Sequence, residues 1–116
     1  MKEEDLRTRT KKYALLVLRL FTTLPKTTEA QILGKQLLRS GTSVGAHYRE
    51  AYRAKSTPDF ISKIEGGLQE LDESDYWLEL LAEGGIVEPG TVRELREETN
   101  ELIAIFVTLA KNAKAR

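Results

Sequence analysis

Apolar residues at Leu6, Tyr13, Val17, Leu20, Phe21 and Leu24 recur every three or four positions until Pro25 interrupts them, the spacing of one buried face of an α-helix. They predict a first helix over about residues 5–24. A second stripe, Ile32, Leu33, Leu37, Val44, Tyr48 and Ala51, predicts a helix over about 28–54, with Thr28 and Gln31 read as a capping box at its start. Ser56-Thr57-Pro58-Asp59 then offers a hydroxyl cap, a proline tolerated in the first turn and an acid near the positive end of the helix dipole. Behind it, Phe60, Ile61, Ile64, Leu68, Leu71, Trp77, Leu78 and Leu81 predict a third helix over about 58–83, ended by Gly84-Gly85. Pro89-Gly90 belongs to the next turn, and Thr91 with Glu94 reads as a further capping box. Val92, Leu95, Leu102, Ile103, Phe106 and Leu109 predict a fourth helix over about 91–113. No period-two stripe competes. The expectation is an all-α, antiparallel up-down-up-down four-helix bundle occupying residues 1–116 as a single domain.

Ser40-Gly41-Thr42-Ser43-Val44-Gly45 is the weak point of the second helix, because each interior glycine is roughly 1 kcal/mol poorer than alanine. A continuous helix is nevertheless expected, since glycines four apart share a face that a neighbouring backbone can approach. Folding a hairpin about Ser56 sets Gly45 level with Gly67, Arg39 level with Glu73 and Thr42 level with Glu70. Arg39, Ser43, His47 and Glu50 with Glu70 and Glu73 then form a polar seam between helices two and three. A buried or half-buried Arg39 paired with either glutamate would hold the register, and breaking such a pair costs about 3 to 5 kcal/mol. Contact with a ligand is the other reading of the same residues.

A chain of 116 residues with 41% hydrophobic and 31% charged residues suits one ordinary domain. The apolar run from Tyr13 to Leu18 stops at Arg19, far short of the roughly 20 residues of a membrane span. The opening Met1-Lys2-Glu3-Glu4-Asp5 does not resemble a secretory leader. The chain has no cysteine, which fits a cytoplasmic protein and leaves neither disulfides nor thiolate chemistry. Its zero net charge hides a strong polarity: twelve basic against five acidic residues over 1–55, one against nine over 56–90, and five against four over 91–116. Basic helices should lie beside an acidic one, within a subunit or between subunits.

The run Gln36-Leu-Leu-Arg-Ser-Gly-Thr-Ser-Val-Gly-Ala, then Tyr48-Arg-Glu-Ala, Asp59-Phe-Ile-Ser-Lys-Ile, and Glu70-x-x-Glu-x-x-Tyr-Trp-Leu resembles the bacterial four-helix-bundle family encoded in intervening sequences of 23S ribosomal RNA genes, also called the S23 ribosomal protein family. The likeness covers about residues 10–110. It implies an antiparallel four-helix bundle assembled as a homopentamer, similar also to the accessory variability proteins of diversity-generating retroelements, which are linked to nucleic acid. The positions it matches are Arg39, Ser43, Glu50, Glu70, Glu73, Tyr76 and Trp77. His47 stands where the family usually has asparagine.

Catalytic chemistry has little to draw on. A lone histidine cannot supply the paired Glu-x-x-His ligands of a di-iron bundle, and no HExxH, Walker or Rossmann pattern occurs. No enzyme activity, metal or cofactor is expected; His47 reads as a packed side chain rather than a catalytic one. The leading functional expectation is a non-enzymatic oligomeric scaffold that binds structured RNA or DNA. Its candidate contacts are Arg7, Arg9, Lys11, Lys12 and Arg19 on helix one with Lys35, Arg49, Arg53 and Lys55 on and after helix two. A solvated charged face is the plainer reading of these residues. The rival class is a structural or protein-binding ring, with Gly41, Gly45 and Gly67 at close helix contacts and Tyr48, Tyr52, Tyr76 and Trp77 divided between core and interface.

Overall fold

The computed structural model describes residues 5–116; Met1 to Glu4, on which the reading against a leader partly rests, lie outside the described residues. Four helices account for the fold: α1 (Leu6–Thr23), α2 (Thr28–Tyr52), α3 (Thr57–Glu83) and α4 (Pro89–Lys114). Among the described residues there is no strand. Each helix packs on the next in sequence to give an antiparallel bundle of 47 × 30 × 20 Å, in which α1 and α4 approach one another least of the neighbouring pairs.

Local chemistry sets the helix starts. The Asp5 carboxylate accepts the Arg7 N–H at 2.8 Å and caps α1. Ser56 caps α3 by accepting the Asp59 N–H at 3.1 Å, as its sequence signature predicts. The α2 cap is Thr27 rather than Thr28: its hydroxyl accepts the Ala30 N–H at 3.4 Å, while Gln31 donates to the Pro25 carbonyl at 2.8 Å. The box expected at Thr91 and Glu94 does not form, because α4 starts two residues earlier on Pro89, behind Glu88, whose side chain makes no capping bond. Proline has no N–H to satisfy and arrives with a helical φ. At the end of α3, Gly85 takes φ +73°, letting Ile86 N–H reach the Leu81 carbonyl at 3.0 Å and Gly85 N–H the Ala82 carbonyl at 3.2 Å.

Buried positions advance by steps of three and four: Thr10, Tyr13, Val17, Leu20 and Leu24 at α1; Ile64, Gly67, Leu71, Ser74, Leu78 and Leu81 in α3; Val92, Leu95, Thr99, Leu102 and Phe106 in α4. This is the seam of helices packed nearly side by side. Most of these side chains are aliphatic, but one layer is not. Tyr13, Ser40, Ser74 and Thr99, one from each helix, are all fully buried. Ser40 and Ser74 join at 2.8 Å and Tyr13 and Thr99 at 2.6 Å. Thr99 donates its proton to the Leu95 carbonyl at 2.7 Å, so the phenol donates to Thr99. Burying an unbonded hydroxyl costs about 1 to 3 kcal/mol; here every hydroxyl of the layer has a partner, one pair tying α2 to α3 and the other α1 to α4.

The Ser40 to Gly45 segment is continuous helix, but its glycines serve a different neighbour from the one expected. Gly41 and Gly45 face α1. A methyl on Gly41 would lie 2.8 Å from Val17 Cγ2, one on Gly45 3.2 Å from Thr10 Oγ1, and one on Gly34 2.5 Å from Leu24 Cδ1. Gly67 instead leaves room for Phe106 of α4, 2.6 Å from a notional methyl. The expected pairing of Gly45 with Gly67 is therefore replaced by two separate close approaches, α1 on α2 and α4 on α3.

Arg39 bonds Glu73 at 2.5 Å and Glu70 at 3.3 Å, at the height the hairpin count predicts. Its side chain is 51% exposed, so the pair falls in the surface class worth about 0 to 1 kcal/mol, not the buried class expected. Ser43 turns back to the Arg39 carbonyl at 2.7 Å and takes no part in a bond between helices. The buried register device is one residue along, at Ser40 and Ser74.

Two outcomes follow from this packing. Gly41→Ala should lower stability by about 1 to 3 kcal/mol in chemical denaturation, because the methyl meets a stiff β-branched side chain, and Val17→Ala in the same chain should recover part of the loss; additive losses would contradict the contact. Burial pushes the Tyr13 phenol up to about 12 from 10.0. The unfolded chain then loses this proton at lower pH than the folded one, so the phenol's contribution is intact below about pH 10 and declines between about 10 and 12, by roughly 3 kcal/mol in all. Denaturation midpoints of Tyr13→Phe, already lowered near neutral pH, should fall less steeply across that window than those of the unaltered chain; parallel pH profiles would contradict it.

Candidate nucleic-acid interface

The start of α1 and the end of α2 lie side by side because the two helices are antiparallel and close. That juxtaposition gathers Arg7 and Lys11 from one with Arg49 and Arg53 from the other around a cavity of about 340 Å³ at the end of the bundle. Asp5, Thr8 and Tyr52 complete its lining. Among the described residues, four cations thus face one carboxylate. All four are exposed, and Arg49 in the last turn of α2 also suits the negative end of its dipole.

An aromatic chain supports this cavity from below. Phe106, wholly buried, stands 6.1 Å from the Tyr48 ring, which stands 6.5 Å from that of Tyr52. Burial, reinforced by the nearby Asp5 charge, raises the Tyr48 phenol above its ordinary range. The Arg7 guanidinium lies 4.3 Å from the Tyr52 ring centroid, a cation over an aromatic face. Asp5 holds one edge of that guanidinium, accepting from Nη2 at 2.9 Å and Nε at 3.2 Å. The Arg7 fork lowers the Asp5 carboxyl below the usual range, and Asp5 in turn raises Arg7.

The other basic candidates are placed differently. Arg9 points across to α4, donating to Glu98 at 2.7 and 2.8 Å and to Glu101 at 2.8 Å. The carboxylates raise its ionisation further, and Arg9 is a helix-to-helix tie, not a free nucleic-acid contact. Lys12 is exposed on α1, outside the lining of the cavity, and Lys55 is exposed in the turn beyond α2. Arg19 lines a separate cleft with Leu16, Leu20, Glu94 and Leu95, between α1 and α4. Lys35 is exposed near the opposite end of α2.

His47 sits over Gly66 beside a shallow depression, with Nδ1 3.8 Å from Glu50 and Nε2 3.8 Å from Glu70. Both separations exceed a hydrogen bond. Among the described residues, no group of three or more His, Cys, Asp or Glu is placed to hold a metal ion. Trp77 packs against the core, while Tyr76, 5.2 Å from it, is 52% exposed. Reasoning from sequence missed Tyr52 as part of the basic cluster; Arg49, Tyr52 and Arg53 share a helix face at spacings of three and four, the signal that would have found it.

A family model described as 23S rRNA-intervening sequence protein matches residues 2–108. The chain is also similar to a crystal structure of a protein with unknown function from the S23 ribosomal protein family of Bacteroides thetaiotaomicron VPI-5482. The two share 31% sequence identity at a TM-score of 0.86, over 92% of this chain and 99% of that one. No curated protein matches. The ordered series of motifs, the four-helix fold and the match over nearly the whole length converge: the chain belongs to the 23S rRNA-intervening sequence protein family.

Proposed function

We propose that this protein is a non-enzymatic, oligomeric helical scaffold that binds structured RNA or DNA through the basic cavity between the start of α1 and the end of α2. One observation carries the reading: Arg7, Lys11, Arg49 and Arg53 converge from two helices on one exposed cavity where, among the described residues, Asp5 is the single carboxylate. Phosphate is the natural partner for such a cluster, because each contact releases condensed counterions. The family description makes ribosomal RNA the first ligand to test.

Assembly strengthens the reading. Acidic α3 and the basic α1–α2 pair offer complementary surfaces to a second copy, and Leu15, Leu18, Ile32 and Tyr76 are exposed apolar side chains suited to subunit contact. In a homopentamer, as the family resemblance implies, several weak cavities would act together by avidity. A ring that contacts only protein is the alternative, favoured by the same exposed side chains.

A salt titration against a 23S ribosomal RNA fragment separates the two. Three phosphates held per cavity, by Lys11, Arg49 and Arg53, would give a slope of about −2 to −3 in log affinity against log salt. The triple variant Lys11→Glu, Arg49→Glu, Arg53→Glu should lose RNA retention at about 0.15 M salt while light scattering shows an unchanged oligomer. Binding insensitive to salt, or a triple variant that binds normally, would overturn the proposal. Loss of assembly in the triple variant would assign the cavity to subunit contact instead.

A further inference from the structure

We infer that the cavity takes an unpaired nucleotide, its base stacked on the Arg7–Tyr52 pair and its phosphates among Lys11, Arg49 and Arg53, so that the protein prefers single-stranded segments to continuous duplex. The inference rests on the nucleic-acid reading above and narrows its ligand. Tyr52 is 56% exposed yet braced from below by Tyr48, which is braced by the buried Phe106. A solvent-facing tyrosine with core support is a prepared surface rather than a stray side chain. Its face carries the planar Arg7 guanidinium at 4.3 Å, and Arg7 keeps 44% of its own side chain exposed. Bases splayed from folded RNA stack on aromatic rings and on arginine planes alike.

Asp5 decides how Arg7 is used. By occupying Nε and one N–H of Nη2, it fills one of the two edges with which arginine grips phosphate. The plane of the guanidinium and its Nη1 end are what remain to offer. Lys11, Arg49 and Arg53 line the same cavity and supply the charge for the backbone. The volume, about 340 Å³, lies at the small end of the range for small-molecule sites, the scale of a nucleotide and not of a double helix. In a duplex, base faces are hidden inside the stack and only phosphates and groove edges meet the protein, so duplex could engage the cations but not the platform.

The test is fluorescence anisotropy at about 50 mM salt, with one labelled RNA of mixed sequence measured alone and annealed to its complement. The single strand should bind more tightly. Tyr52→Leu removes the ring from an exposed position and should weaken the single strand roughly tenfold while leaving duplex affinity unchanged; Tyr52→Phe, which keeps the ring, should behave as the parent. Arg53→Glu should weaken both forms. Duplex binding as tight as single strand, or a Tyr52→Leu variant indistinguishable from the parent on both, would overturn the unpaired-nucleotide inference and leave the phosphate-binding proposal standing. Failure of both RNAs to bind the parent protein would remove the proposal itself.

Discussion

The close approach of α1 to α2 is the contact on which the rest depends. Gly34, Gly41 and Gly45 present bare backbone to Leu24, Val17 and Thr10 in turn, so the two helices run against each other along most of the length of α1. The same glycines weaken helix propensity by roughly 1 kcal/mol each, a deficit that packing must offset. A wider spacing would separate Arg7 and Lys11 from Arg49, Tyr52 and Arg53. The candidate site is thus a consequence of how tightly one pair of helices packs.

A second constraint fixes how the pair meets the other two. Aliphatic seam residues fill space but leave the vertical register of long helices weakly defined, because one Leu layer resembles the next. Ser40, Ser74, Tyr13 and Thr99 break that equivalence, since a shift of one turn would leave buried hydroxyls without partners. Arg9 with Glu98 and Glu101 adds a polar tie across the sparsely packed α1–α4 side. Arg39 with Glu70 and Glu73 marks the same register at the surface, where solvent reduces its weight.

Much of this was legible in the chain. Pro25, Ser56 and Gly84-Gly85 punctuate the helices by local chemistry, and counting from Ser56 sets Arg39 beside Glu73 because both helices rise by the same amount per residue. What the pattern could not show was which neighbour each face meets. Gly45 looks equally available to α1 and α3 in one dimension, and a buried Ser40 is indistinguishable from a half-buried Ser43 until the third helix is in place. For the site, basic residues were visible as a class, but their sorting was not. Arg9 lies two residues, just over half a turn, from Arg7 and from Lys11; that spacing separates their faces without saying which neighbour each face meets, and Arg9 faces α4 and its carboxylates while they face α2. Pairing of this kind depends on the bundle's cross-section, which no local window contains.

The charge polarity of the chain acquires a geometric meaning from these placements. Acidic α3 neutralises Arg39, and acidic positions on α4 neutralise Arg9; among the described residues the cations at the α1–α2 end have only the Asp5 carboxylate in their cavity lining. The most direct measurement is an NMR titration of arginine side-chain and backbone amide resonances with a short single-stranded RNA. The largest shifts should fall at Arg7, Lys11, Arg49, Tyr52 and Arg53, with Arg9 and Arg39 little moved. Shifts centred on Arg19 and Lys35, at the opposite end of the bundle, would contradict the assignment of the cavity.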